Sequence, residues 1–145
     1  MDYHYRQIPQ STVPTGTLSA ARWALSAASR HWGIDRPYLG FIEPTRSAGP
    51  STIKTSTGAI GGFSRLGRSP RGEMVRAVYV VKGMSLRETF LTVAHEVCHL
   101  RDMEVGFGIK LTRTKRASAA EEQETLEAHA EAFAQRLTRW TFDKE

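Results

Sequence analysis

The sequence predicts a single α+β domain: an N-terminal helix, a small and mostly antiparallel sheet, then two further helices. Three observations carry this. Apolar residues recur at three- and four-residue steps over residues 18–32, 86–100 and 126–140, the period of an amphipathic helix. Between the first and second of these stretches lie short β-branched and aromatic runs broken by Gly and Pro, which read as strands. Two capping boxes, Ser85-Leu86-Arg87-Glu88 and Ser118-Ala119-Ala120-Glu121, mark where the last two helices begin.

Residues 1–16 are polar and broken by Pro9 and Pro14, and are expected to form a flexible arm ahead of the domain at 17–145. A helix follows from Thr17, with Leu18, Ala21, Leu25, Ala28 and Trp32 as its apolar stripe and Gly33 as its stop. His31 in its last turn meets the negative helix end, a structural role. Residues 38–42 read as a strand before Pro44, and residues 52–66 as a weaker strand pair or one bent strand. A turn with a basic tip, Arg65, Arg68 and Arg71, leads into the clearest strand, residues 75–81. In the next helix Leu86, Phe90, Val93, Val97 and Leu100 should face the core, with Gly106 and Gly108 ending it. The last helix should bury Leu126, Ala130, Phe133, Leu137 and Trp140, and its acidic first turns suit the helix dipole.

Composition narrows the functional classes. At 145 residues, with 40% hydrophobic and 24% charged, the chain fits one globular domain with a modest core. No apolar run approaches the ~20 residues of a membrane span, and residues 1–7 lack the apolar core of a secretory signal. A single cysteine, Cys98, excludes an internal disulfide and suits a reducing cytoplasm. The net charge of +5 is unevenly placed, with 17 basic against 8 acidic residues up to Arg116 and 3 against 7 thereafter. A basic surface and an acidic helix are therefore expected.

The chemistry concentrates in His95-Glu96-Val97-Cys98-His99. On a helix, positions four apart lie on one face, so both imidazoles can reach one ion while Glu96 projects beside it. H-E-x-x-H on a helix is the arrangement of a zinc hydrolase: two imidazole ligands, and a carboxylate that takes a proton from the metal-activated water. His95 and His99 fall off the core stripe, so one face packs and the neighbouring face carries the chemistry. Catalytic zinc takes a third protein ligand. His129 lies three after Leu126 and four before Phe133, on the inward face of the last helix, and is the expected third ligand, with Glu127 as the fallback. Tyr79 is a candidate oxyanion donor and Asp102 a candidate for orienting a ligand imidazole. Cys98 reads as a small buried hydrophobe.

Thr92-Val93-Ala94-His95-Glu96-Val97-Cys98-His99-Leu100, followed by His129-Ala130-Glu131-Ala132-Phe133-Ala134, resembles the zincin metallopeptidases of the ImmA/IrrE type, which carry T-x-A-H-E-x-x-H and later E-A-x-x-F-A. The resemblance implies a minimal zincin fold, a Zn2+ cofactor, and peptide-bond hydrolysis with Glu96 as general base. At the ligand position of the second motif this chain has His129 in place of glutamate. A three-histidine set is similar to the SprT-like proteases, which act on proteins bound to DNA, but their usual signature after the central helix is missing. A protein or peptide substrate is the expected partner, and the strand at 75–81 or the one near Phe63 offers an edge for it. The alternative is a nucleic-acid-associated binding protein with a structural or vestigial metal site, motivated by the basic clusters at 65–76 and 110–116. These clusters lack the interleaved aromatics of a stacking platform, and no named DNA-reading motif is visible.

Overall fold

Short apolar runs, buried at residues 39–42 of Tyr38–Thr45 and at Ala77, Val78 and Val80 of Met74–Val81, build the middle of the sheet. The computed structural model describes residues 3–46, 52–55, 61–106 and 119–144 and shows an α+β fold. Its strands are β1 (Tyr3–Ile8), β2 (Tyr38–Thr45), β3 (Thr52–Thr55), β4 (Gly62–Arg68) and β5 (Met74–Val81), and its described helices are α1 (Thr15–Trp32), α2 (Leu86–Val105) and α3 (Ala119–Leu137). The sheet runs β3-β1-β2-β5-β4. Three of the four pairings are antiparallel, and β2 pairs with β5 in parallel.

The N-terminal segment departs from expectation. Residues 3–8 are not an arm but β1, hydrogen-bonded to β2 on one side and β3 on the other. Tyr5 and Ile8 are both buried, with the exposed Arg6 and Gln7 between them, so the two point to opposite faces of the sheet. No period-2 alternation marks this strand in the sequence, and Pro9, which reads as a breaker, instead opens the short 3-10 turn Gln10–Thr12 that follows it. Helix α1 begins two residues earlier than Thr17, after Pro14, with no side-chain cap, and Gly33 closes it in the left-handed conformation at φ 65°.

Leu39 and Phe41 of β2 and Val78 and Val80 of β5 point into one core with Ala21, Leu25 and Ala28 of α1, Phe90, Val93, Val97 and Leu100 of α2, and Ala130, Phe133 and Leu137 of α3. The α2 stripe is buried as expected except for Leu86, which is exposed, and Trp140 is exposed beyond the end of α3. The chain closes on a π-helical turn, Thr138–Phe142, in which the Thr138 hydroxyl donates to the Ala134 carbonyl at 2.7 Å. Phe142 and Trp23 both pack against Phe90, and Asp143 pairs with Arg87 at 3.0 Å. These contacts fasten the first turn of α2 to the end of the chain. The second capping box, at Ser118, and the basic stretch at 110–116 lie outside the described residues, as does Gly108.

Candidate metal centre

Helix α2 positions two imidazoles and one carboxylate. Its start is fixed by Ser85, whose hydroxyl oxygen accepts from the Glu88 backbone N–H at 3.1 Å. Its core stripe then locks its rotation, leaving His95 and His99 partly buried beside one another. Their Nε2 atoms face each other at 3.0 Å. Glu127, from α3, lies against both: Oε1 is 2.9 Å from His99 Nε2, and Oε2 is 3.1 Å from His95 Nε2. Two nitrogens and a carboxylate thus converge on one point from two helices.

His129, the expected third ligand, stands elsewhere. Its Nε2 is 3.6 Å from Asp102 Oδ1, and its ring lies 6.0 Å from that of Trp32. The inward face of α3 serves the core. The two histidines lie off the core stripe of α2, so their partner must lie off the core stripe of α3. Glu127 does, and so does Glu131, one turn on, whose Oε2 is 3.1 Å from His95 Nδ1. Glu127 and Glu131 repeat the four-residue spacing of His95 and His99, a signal present in the sequence. Asp102 is likewise displaced from its expected role: it contacts Arg101, Cys98 and His129. The carboxylate that orients a site imidazole is Glu131, leaving His95 Nε2 turned toward Glu127.

Tyr79 is also on the wrong side. Strand residues alternate between faces. Val78 and Val80 enter the core, so Tyr79 faces away from α2 and stacks on Phe63, with ring centroids 4.9 Å apart. It does not line the cleft around the histidines.

Strand β4 forms the wall facing α2. A Cβ added at Gly62 would sit 2.4 Å from the Tyr79 carbonyl oxygen and 3.1 Å from Thr92 Cγ2, so a side chain there would force β4 away from α2. Two adjoining cavities, of about 610 and 450 Å3, share Phe63, Glu96, His99, Gln123 and Glu127 in their walls. Gln123 donates to Glu127 Oε1 at 3.3 Å.

Glu96 is buried at the base of this cleft, with 8% of its surface exposed. Burial pushes its carboxyl from 4.5 up to about 7; the charge of Glu127 adds to the rise, while His95 and a hydrogen bond with Ser64 oppose it. Burial also holds the His99 imidazole below its ordinary range, against the opposing pull of Glu127. A neutral imidazole is the form that coordinates metal.

The donor set fits a zinc ion: two imidazole nitrogens and one carboxylate oxygen are the ligands of one class of catalytic zinc site. Edges of 2.9–3.1 Å are slightly shorter than the ~3.3 Å between donors that bonds of about 2.0–2.1 Å give at tetrahedral angles. A small outward relaxation would admit the ion. Comparison with protein-family models, curated proteins and solved structures finds no match for this chain. Among the described residues, no helix is long and apolar enough to cross a membrane.

Proposed function

We propose that this protein is a zinc-dependent metallopeptidase of minimal zincin type, with His95, His99 and Glu127 as metal ligands and Glu96 as general base. The triangle of His95 Nε2, His99 Nε2 and Glu127 Oε carries this proposal. Bound there, Zn2+ supplies the Lewis acidity that acidifies a water molecule and polarises a carbonyl. Glu96, next in sequence to His95 and facing the same cleft, takes the proton from the attacking water and returns it to the leaving amine. Glu131 holds His95 Nδ1, so that its Nε2 faces Glu127, where a metal would be held. Strand β4 ends the sheet beside the cleft, and no described strand pairs with its outer side, so an extended peptide can lie along it.

The deciding experiment compares cleavage of a casein or peptide library by the zinc-loaded protein and by Glu96→Gln. The variant should retain zinc and lose about 10²–10⁴-fold in rate. A Glu96→Gln protein that hydrolyses peptides at the wild-type rate rules the mechanism out.

A further inference from the structure

A second group of donors lies on the same two helices. Cys98, Asp102 and His129 each turn a ligating atom inward, and the three atoms lie within 4.8 Å of one another. Asp102 Oδ2 is 3.8 Å from Cys98 Sγ, and Asp102 Oδ1 is 3.6 Å from His129 Nε2. The second distance is too long for a hydrogen bond, and the first makes only a weak one. Asp102 thus faces Cys98 with one carboxylate oxygen and His129 with the other, and an ion bonded at ~2.0–2.3 Å could draw the three donors together.

We propose that Cys98, Asp102 and His129 form a second metal site, selective for Zn2+ or Co2+, that ties α2 to α3. One sulfur, one imidazole nitrogen and one carboxylate oxygen make a borderline-soft set, which disfavours Mg2+ and Ca2+. Cys98 is fully buried and Asp102 is 3% exposed, and a buried carboxylate needs compensation. Arg101 supplies part of it at 3.0 Å, the kind of supporting hydrogen bond that ligating carboxylates take. Its guanidinium also lies 4.3 Å above the Trp32 ring, which neighbours His129. Coordination displaces the Cys98 thiol proton. Cys98 adjoins His99, and His129 is two residues from Glu127. An ion here would therefore set the register of α3 that aims Glu127 at the histidine pair.

Cobalt separates the two sites, because only the second contains sulfur. The full-length protein, stripped with chelator, is titrated with Co2+ and followed by absorption. Two equivalents are expected, one of them with an intense near-ultraviolet sulfur-to-cobalt charge-transfer band. Cys98→Ser should abolish the band and one equivalent, and His129→Gln should weaken that equivalent at least tenfold. Glu127→Gln should lose the other equivalent and keep the band. A wild-type protein that takes one equivalent without the band overturns the second site, even if it proves a peptidase. A band lost in Glu127→Gln overturns it as well, since the sulfur would then belong to the first ion. If Cys98→Ser does not fold, the wild-type band alone decides. An inactive protein that binds two equivalents with the band retains the second site while the peptidase proposal fails.

Discussion

Glu96 shows how burial sets a residue's chemistry. Its carboxyl, raised from 4.5 to about 7 mainly by burial, stays protonated in the folded, metal-free protein at pH values where the unfolded chain has already ionised. The stability this brings is fully present below pH 4.5 and is lost as pH rises through 7. Glu96→Gln remains neutral throughout. With metal chelated, it should be more stable than wild type at about pH 8, by on the order of 3 kcal/mol, and should match it at about pH 4. Thermal denaturation at the two pH values checks this, and an equal gap at both would refute it. In the proposed peptidase, Glu131 would act through His95, which it contacts at 3.1 Å, rather than on substrate. Glu131→Gln should raise the zinc concentration needed for half-maximal activity about 10–100-fold while sparing the maximal rate; a fall in maximal rate at unchanged zinc dependence would count against that role. The residue types of the site were legible in the sequence, H-E-x-x-H above all. Choosing His129 over Glu127 failed because inward-facing was equated with site-facing, although both histidines already lay off their own core stripe.

At the scale of elements, the helices were the most legible part. Their periods and the Ser85 cap are local features, and tertiary packing confirms them. Ser85→Ala should cost about 1 kcal/mol of stability through the lost bond to the Glu88 N–H, measured by urea unfolding. The strands were harder. Residues 52–66 read as a weak strand pair or one bent strand, whereas Gly62 begins β4, where α2 and the Tyr79 carbonyl leave no room for a side chain. Gly62→Ala should destabilise the fold by about 1–3 kcal/mol through overpacking and shift β4 at the cleft wall. A variant with unchanged stability would mean the strand can move aside freely. Tyr79 shows a signal that was available: alternation with Val78 and Val80 already placed it on the far face.

For the whole molecule, the α+β class followed from helix periods and short strands, but the strand order did not. Pairing between residues 3–8 and residues 38–45 is remote in sequence, and nothing local announces it. The consequence is that residues 3–8 support the centre of the sheet. Removing residues 1–8 would strip β2 of one neighbour and leave β3 without its partner. The truncated chain should lose cooperative thermal unfolding; a sharp transition near that of the full protein would show β1 to be dispensable. The Phe90 contacts with Trp23 and Phe142 likewise join α1 to the turn at Thr138–Phe142 through α2.

The donor triangle is divided between chain segments, with His95 and His99 before residue 106 and Glu127 after residue 119. A chain cut between those positions would carry two imidazoles on one fragment and the carboxylate on the other. Neither half holds the full ligand set of the proposed zinc site, so firm zinc retention by the cut protein would report that the halves had found each other.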